Sequence, residues 1–542
     1  MSTPGRLRRV VTAGRTAGED EERSVGLTVL AAAIAATLLS PVLWLLLRVA
    51  TVGVDTALSL LSNSTTVTVL LNSVALVATV TVASTLIGVP LAVLTVQTDL
   101  PFRRVWTVLI ALPLVVPSYI GAFAFVSAFG PRGILADALA PLGVSSLPPI
   151  YGFQGAALVL TLFVYPYVFL TTRASLLSFD ATLVEAARTL NHSRLAAFRR
   201  VTLPLILPGI TAGALLVALY ALSDFGTPAI MHFDVFTRMI YVQYNTFGRD
   251  FAALLSLQLL AVTAVILAVE SRIGGGDRDA YGSSRIRGGE TIALGRWKAP
   301  ALAFCTLVVA LCLLVPLGVL LLWLVRSGPG YHGAGFAFRW QYGWNTVYVS
   351  ALAAAAATLG ALPVAYLSAR RSSLLARLTE RATYVGYAVP GIVLGLSLVY
   401  FGSAYAPMLY QTLPLLVFAY VVRFVPQAVG ATRSSVLQVD PKLIEASRTL
   451  GHSATRTFRE VTLPLIAPGI TAGAALVFLT TMKELPATLL LHPTGFKTLV
   501  TYIWLVQSAG YYGRAALPAL VLVVVSGLSM LVILAQEGDG AD

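Results

Sequence analysis

The chain has 542 residues, of which 57% are hydrophobic and only 11% are charged, and its formal net charge is +13 at pH 7. With a mean hydropathy of +0.82, this composition excludes an ordinary water-soluble globular protein and indicates a protein of the lipid bilayer. The two cysteines, Cys305 and Cys312, lie in one apolar run, which favours membrane packing over a disulfide or a metal site. No metal or other cofactor is expected.

Apolar runs of roughly 20 residues, long enough to cross a hydrocarbon layer of about 30 Å, recur along the whole chain. The runs are continuous rather than alternating, which favours helices, because a helix in lipid satisfies its own backbone hydrogen bonds. The sequence therefore predicts an all-α integral membrane protein with twelve transmembrane helices. The predicted spans lie near residues 25–50, 67–96, 105–129, 153–177, 206–231, 251–271, 299–325, 346–368, 383–404, 410–434, 466–490 and 515–535.

The tail before the first run is basic, with Arg6, Arg8, Arg9 and Arg15, and the run itself lacks a small-residue cleavage site. We therefore expect a retained tail on the cytoplasmic side. The even-numbered connections are then cytoplasmic as well, and they carry the basic clusters that the positive-inside rule predicts. This topology explains the net charge, predicts cytoplasmic termini in the inner or plasma membrane, and leaves no argument for a nucleic-acid surface.

The middle of the chain separates two sets of six predicted spans. Residues 272–298, "RIGGGDRDAYGSSRIRGGETIALGRWK", are rich in glycine, serine and charge, which is typical of a flexible linker. The predicted organisation is a cytosolic tail (1–24), a first membrane domain (25–271), the linker (272–298), a second membrane domain (299–536) and a C-terminal tail (537–542).

One polar passage occurs twice, after the fourth span of each half. The copies read "VEAARTLNHSRLAAFRRVTLPLILPGITAG" from Val184 and "IEASRTLGHSATRTFREVTLPLIAPGITAG" from Ile444. Glu185 and Glu445, like Pro204 and Pro464, are separated by the same 260 residues. The chain therefore resembles an internal duplication whose two copies face the same side of the membrane.

Each copy predicts a cytosolic helix-turn-helix. In the second copy Asp440 is a good N-cap, Pro441 suits the first helical position, and Gly451 can take the left-handed conformation that ends a helix. Ser453 can then cap a second short helix that ends before Leu463 and Pro464. An amphipathic loop lying on lipid headgroups remains the alternative, but the duplication favours two equivalent docking partners. The predicted contact stripe consists of Leu443, Ser447 and Leu450, and in the first copy of Leu183, Ala187 and Leu190.

The segments "EAARTLN…LPLILPG" and "EASRTLG…LPLIAPG" resemble the cytosolic EAA signature of permease subunits of type I ABC importers. In that family the passage forms the coupling helix, which seats in a cleft of the ATPase subunit. Asn191 replaces the signature glycine of the first copy, and Ser447 replaces the second alanine of the second copy. The resemblance implies a type I permease fold in two six-helix halves. It also implies ATPase coupling by Glu185, Ala186, Ala187, Asn191, Glu445, Ala446, Ser447 and Gly451.

Two features of the chain look most like ferric-iron importer permeases. One is the fusion of two permease domains, and the other is the set of segments "DFGTP" at Asp224, "NTFGRDFAA" at Asn245 and "MKELPATLLLHPTGF" at Met482. Thiamine, polyamine and phosphonate permeases share parts of this layout. The resemblance implies import into the cytoplasm by alternating access, with one copy of this chain and two cytosolic ATPase subunits. It also implies an external solute-binding protein, which would dock on outer loops that include residues 130–152, 232–250 and 326–345.

The chain shows no ATPase of its own, because none of its four lysines stands in a Gly-Lys-Ser/Thr phosphate loop. We therefore expect no enzymatic activity in this polypeptide and place ATP hydrolysis on a separate subunit. A secondary transporter driven by an ion gradient is the rival interpretation, since it too can use duplicated halves. Such a transporter would have no need of two cytosolic docking helices.

Charge inside a membrane span is costly and often functional, and four ionisable residues of the predicted spans are candidates on this ground: Asp224, Arg423, Lys483 and Glu484. Asp224 and Glu484 are again 260 residues apart, so the duplication relates them across a pseudo-two-fold axis. One interpretation places the four residues along the translocation path, where carboxylates would steer a cation. The other makes Arg423, Lys483 and Glu484 a structural cluster of mutually neutralising charges.

Overall fold

The computed structural model describes residues 5–130, 133–143, 147–178, 196, 198–246, 248–273, 291–326, 336–371 and 373–538. Within these ranges the protein is built from helices, and the one extended pairing is a parallel bridge between Thr98 and Ile292. The prediction of an all-α membrane protein is confirmed. The helices are α1 (Gly5–Ala50), α2 (Val54–Leu61), α3 (Ser64–Gln97), α4 (Arg103–Ala111), α5 (Ser118–Phe129), α6 (Ile134–Leu139), α7 (Phe153–Ser178), α8 (Leu203–Ser223), α9 (Gly226–Ile230), α10 (Phe236–Asn245), α11 (Arg249–Ile273), α12 (Lys298–Val309), α13 (Val315–Val325), α14 (Trp340–Arg370), α15 (Leu374–Ala388), α16 (Gly391–Ala404), α17 (Leu413–Gln438), α18 (Pro441–Thr449), α19 (Ala454–Thr457), α20 (Leu463–Met482), α21 (Pro486–Leu491), α22 (Leu499–Ser508) and α23 (Tyr512–Gly538).

Among the described residues, ten helical stretches are long and apolar enough to cross a membrane. The count becomes eleven if α15 and α16, which meet at a bend of 100°, form one span. The twelfth predicted span, 515–535, falls in α23, whose apolar part Tyr512–Leu528 is shorter than the other stretches. The spans of the duplicated membrane protein are thus recovered, with ten or eleven where the sequence predicted twelve.

Four predicted spans are broken, and this corrects the expectation of continuous helices at 105–129, 206–231, 383–404 and 466–490. The first and third breaks come at Pro117 and Pro390, which have extended ψ angles of 136° and 141° and lead directly into α5 and α16. Proline has no N–H to continue the preceding helix, so a break at these positions leaves fewer backbone donors to satisfy. The other two breaks separate α8 from α9 and α20 from α21.

The described residues form two compact units that mix the two halves of the sequence. One unit contains the described parts of Arg48–Trp340 and Leu499–Leu528, and is called here the first unit. The second unit contains the described parts of Met1–Leu47, Gln341–Thr498 and Ser529–Asp542. These units have other boundaries than the two repeats of the sequence. The domain limits at residues 271 and 299 therefore stay a prediction about the repeats.

Helix α1 packs in the second unit although it belongs to the first half of the sequence. The Ser397 hydroxyl on α16 donates a hydrogen bond to the carbonyl of Pro41, which lies inside α1. Trp44 packs against Phe401 and Tyr405, with ring centroids 4.8 and 4.9 Å apart. Ser397 is buried, and the helix carbonyl gives its hydroxyl a partner that lipid could not supply.

The first unit, in turn, contains α12 and α13 from the second half of the sequence. The Trp323 indole N–H on α13 donates to the Ser127 hydroxyl on α5. Val319 also packs against Ala124 and Ala128 in one buried cluster. Helix α22 joins the same unit through Trp504, whose ring lies 5.1 Å from that of Phe225.

Equivalent glycines allow close helix packing in both units. A Cβ at Gly209 on α8 would collide with the Ser175 hydroxyl on α7, and one at Gly469 on α20 would collide with the Ser435 hydroxyl on α17. Both glycines and both serines are related by the spacing of 260 residues. Small residues at such contacts let helix backbones approach closely, which is the main source of packing energy between helices in lipid.

The end of the predicted linker is attached to the turn after α3. Ile292 donates its N–H to the Gln97 carbonyl at 2.8 Å and accepts from the Asp99 N–H at 3.1 Å. The Asp99 carboxylate accepts from the Leu294 N–H at 2.8 Å and forms an ion pair with Lys298 at 2.8 Å. Residues 291–298 of the predicted flexible linker are therefore anchored to the turn after α3, while residues 274–290 lie outside the described ranges.

Candidate functional site

The second copy of the repeated passage has the capped helix that its sequence predicts. Helix α18 begins at Pro441, and the Asp440 carboxylate accepts the Lys442 N–H at 2.9 Å. Asparagine and aspartate are strong N-caps because they satisfy one of the free N–H groups of the first turn. The predicted start of this helix is confirmed.

The helix ends in a Schellman motif around Gly451. The Gly451 N–H donates to the Arg448 carbonyl at 3.0 Å, and the His452 N–H donates to the Ser447 carbonyl at 3.3 Å. Gly451 has a φ of +88°, the left-handed conformation that this motif requires. The prediction for Gly451 is confirmed, and the turn redirects the chain toward the membrane.

The chain after this turn differs from the prediction. Ser453 caps the next turn by accepting the Arg456 N–H at 3.3 Å, as expected. Helix α19 does not stop before Leu463, because a π-helical turn, Phe458–Thr462, carries it directly into α20. The longer spacing of a π turn can accommodate the missing N–H of Pro464, so the second helix of the passage and the span are continuous.

The two faces of α18 have different surroundings. Ile444 packs on the buried cluster of Val436, Val439 and Ile466. Leu443 and Leu450, in contrast, are 49% and 79% exposed. Two large apolar side chains at such exposure, on a helix outside the apolar spans, are a reasonable surface for a partner.

The predicted stripe on α18 is only partly exposed. Ser447 is only 6% exposed, whereas Leu443 and Leu450 are exposed, so the three side chains do not form one contact surface. Glu445 and Ala446, two of the predicted coupling residues, are also exposed. The coupling residues predicted in the first copy, Glu185, Ala186, Ala187 and Asn191, lie outside the described residues.

Asp224 closes the break between α8 and α9 in the first unit. Its carboxylate accepts the Thr227 N–H at 2.9 Å and the Ser118 hydroxyl at 2.7 Å. The Tyr220 hydroxyl donates to the Ser118 hydroxyl at 3.2 Å, and the Thr237 hydroxyl donates to the Asp224 carbonyl at 2.7 Å. The side chain thus caps α9 and ties the break to the start of α5.

Glu484 has the equivalent position in the second unit, between α20 and α21. Its carboxylate accepts the Ala487 N–H at 3.2 Å and lies 3.4 Å from the Arg423 Nε atom. The Thr488 hydroxyl donates to the Glu484 carbonyl. A Cβ at Gly391, the first residue of α16, would collide with both members of this ion pair.

The acids predicted for the translocation path therefore share a structural feature. Each accepts the backbone N–H three residues later, and each connects a break after the fifth span of its half to the start of α5 or α16. Arg423 and Glu484 form the ion pair expected of a structural cluster, and Lys483 is the C-cap of α20 next to them. Sequence reasoning missed Ser118 and Gly391, although each directly follows a proline, Pro117 or Pro390, at the start of a helix.

Comparisons with known proteins agree with the repeat. Residues 84–273 and 361–537 each match the family described as binding-protein-dependent transport system inner membrane component. The chain is 30% identical over 512 residues to the Fe(3+)-transport system permease protein FbpB 2 of Haemophilus influenzae, which covers 94% of this chain and 97% of that relative. It is 28% identical to the probable ABC transporter permease protein y4fN of Sinorhizobium fredii, covering 95% of each chain. It is 24% identical to the ferric transport system permease protein FbpB of Actinobacillus pleuropneumoniae, covering 85% of this chain and 69% of the relative.

Proposed function

Since this chain belongs to the family of binding-protein-dependent transport system inner membrane components, we propose that it is the permease of an ATP-driven importer of ferric iron. The observation that carries the proposal is the similarity to a ferric-iron permease over 94% of the chain, with the family matched once in each half. Transport of thiamine, a polyamine or a phosphonate is the alternative within the same class of importer. We place the chain in the inner or plasma membrane, with both termini in the cytoplasm.

The partners follow from the function. An importer of this kind needs ATP hydrolysis, and we assign it to two cytosolic ATPase subunits, each gripped by one copy of the repeated passage. An extracytoplasmic solute-binding protein would deliver the ferric ion to the outer face. Residues 180–203 and 440–463 are the proposed ATPase-docking segments. The proposed coupling residues within them are Glu185, Ala186, Ala187, Asn191, Glu445, Ala446, Ser447 and Gly451.

The contacts around α18 support a route by which ATPase closure reaches the spans. A force applied at the exposed Leu443 and Leu450 would pass through Ile444 to the cluster that includes Val436 on α17 and Ile466 on α20. The guanidinium of Arg370, at the end of α14, donates to the Val439 carbonyl at 3.2 Å. Close-packed interiors transmit displacement, so movement of α18 would tilt α14, α17 and α20 together. Such a tilt would open the translocation path to one side of the membrane and then to the other.

For the membrane charges we propose a combined role. Asp224 and Glu484 hold the helix breaks, as their hydrogen bonds indicate, and their carboxylates also attract the cation as it passes. Ferric iron is a hard cation that prefers oxygen ligands, which suits carboxylates, but tight chelation would slow release. The positive charges of Arg423 and Lys483 would weaken the binding of the cation by Glu484, so that the cation is not held too tightly.

The deciding experiment is reconstitution in vesicles with the ATPase and the binding protein. Ferric iron presented by the binding protein should stimulate ATP hydrolysis and accumulate inside, whereas thiamine, a polyamine or a phosphonate should do neither. Stimulation by one of these solutes instead would reassign the substrate. Uptake by the chain alone, driven by an ion gradient without ATP, would favour the secondary transporter and contradict the importer.

A further inference from the structure

The second docking segment contains a buried pair of hydroxyl groups that joins its two helices. Ser447 on α18 and Thr457 on α19 lie 3.0 Å apart through their side-chain oxygens. They are 6% and 2% exposed, so the hydrogen bond is shielded from water. The pair spans the Gly451 turn and fixes α19, which continues into the membrane, against α18.

Ser447 makes a polar contact at a position of the Schellman motif that is usually apolar. Ser447 and His452 occupy the two sites of this motif that usually make a hydrophobic contact across the turn. Here the contact is polar, with the Ser447 hydroxyl 3.3 Å from the His452 Nδ1 atom. The same histidine nitrogen lies 3.8 Å from the Glu460 carboxylate, which is paired with Arg456 at 2.9 Å. The turn is therefore built around hydrogen bonds rather than around apolar packing.

The first copy cannot form this network, because its sequence lacks the partners. Ala187 and Ala197 stand at the positions of Ser447 and Thr457, and Arg200 stands at the position of Glu460. The histidine, in contrast, is present in both copies. Two segments that are alike along most of their length thus differ at the residues that join the helices of the second.

We propose that the Ser447–Thr457 hydrogen bond is a brace specific to the second docking segment, and that the two segments are therefore not interchangeable. Ser447 is then a positioning residue: it holds the exposed Leu443 and Leu450 face of α18 at a fixed angle and does not itself touch the ATPase. The brace deepens the proposed function, on which it rests for the identity of the partner. Its assignment changes the role that the signature resemblance gives to Ser447.

The test is the pair Ser447→Ala and Thr457→Ala, singly and together, in the full-length chain with its ATPase. The double variant installs the residues that the first copy already carries. Thr455→Ala is the matched control, since Thr455 is an exposed threonine of the same segment. Thr457→Ser retains the hydroxyl and should restore the brace.

The first readout is amide hydrogen exchange in peptides covering residues 445–458. Loss of one buried hydrogen bond should accelerate exchange there by roughly 2- to 10-fold. Each single variant should approach the effect of the double variant, because both act on one contact and are not additive. The second readout is the number of ATP molecules hydrolysed per solute transported, which should rise in the alanine variants and stay at the wild-type value in Thr455→Ala and Thr457→Ser.

Two results would overturn the brace. One is exchange in the double variant equal to that of Thr455→Ala. The other is loss of ATPase binding in Ser447→Ala with unchanged exchange, which would make Ser447 a direct docking contact. If the proposed function is wrong, the wild-type chain will retain no ATPase. Hydrogen exchange in the alanine variants and in Thr455→Ala, measured on the chain alone, would still decide whether the hydrogen bond holds the segment.

Discussion

Replacing Gly451 by valine tests whether the turn after α18 is needed for coupling. Gly451 has a φ of +88°, and no atom lies within 4 Å of the place where a Cβ would stand. The cost of the substitution therefore comes from backbone conformation and not from a collision. For an L-residue that cost is about 1–2 kcal/mol, and a β-branched side chain lies at the upper end.

A cost of this size changes the population of the correct turn by a factor of about 5 to 30. Insertion should be unaffected, because it depends on the apolar spans. We expect Gly451→Val to reach the membrane at the wild-type level and to lose most of its ATPase in detergent copurification, along with solute-stimulated hydrolysis. Glu445→Lys, which reverses a charge on the exposed side of α18, should weaken the same association.

The chain provides its own control for this prediction. Asparagine tolerates the left-handed conformation, and Asn191 stands at the equivalent position of the first copy. Gly451→Asn and the reciprocal Asn191→Gly should therefore retain the ATPase and transport. If Gly451→Val and Glu445→Lys both leave ATPase binding and uptake unchanged, the coupling assignment is refuted, and an amphipathic loop on the lipid headgroups takes its place.

Three further predictions concern the membrane charges, the linker and its attachment. Asp224→Asn and Glu484→Gln should each lower uptake while the ATPase stays bound. Glu484→Gln should also lower the melting temperature, because it weakens a buried ion pair with Arg423. Normal uptake by both variants at normal expression would remove the two acids from the translocation path. Halves split near Gly276 and expressed together should assemble and transport, and stable but inactive halves would contradict the linker. The hydrogen bond from Lys298 lowers the pKa of Asp99, so the Asp99–Lys298 ion pair is present above the ordinary aspartate pKa of about 3.9 and is lost as pH falls through the lowered value. The backbone hydrogen bonds of Ile292 do not titrate, so Asp99→Asn should loosen residues 291–298 at neutral pH without releasing them. Faster trypsin cleavage after Lys298 is the expected result, and unchanged cleavage would argue against this role of Asp99.

The candidate site was only partly readable from the sequence. Asp440 and Gly451 could be assigned to the start and end of α18, because caps and left-handed turns are chosen by the local chemistry of one or two residues. Whether Ser447 faces outward or inward could not be assigned. Its orientation depends on Thr457, which lies in the next helix, and a helical stripe drawn on α18 alone contains no such information.

The helix breaks show the same limit. Pro117 and Pro390 precede breaks, whereas Pro90, Pro166 and Pro363 lie inside unbroken helices, so proline in an apolar run does not by itself tell the two apart. A break in lipid is stable only where other groups satisfy the freed backbone. At the breaks after the fifth spans those groups are the carboxylates of Asp224 and Glu484, whose bracing contacts come from Ser118 and Arg423, more than 60 residues away.

The sequence by itself determined that the protein lies in a membrane, and it determined the approximate spans, the duplication and the caps of α18. These features follow from the thickness of the bilayer, from the repeated amino-acid sequence and from interactions among neighbouring residues. Only the tertiary structure decided that α1 packs with the second half, that α12 and α13 pack with the first, and that paired acids close the helix breaks. These features depend on the fit between surfaces far apart in the chain, and apolar helices in lipid look alike until close packing and a few buried polar contacts distinguish their partners.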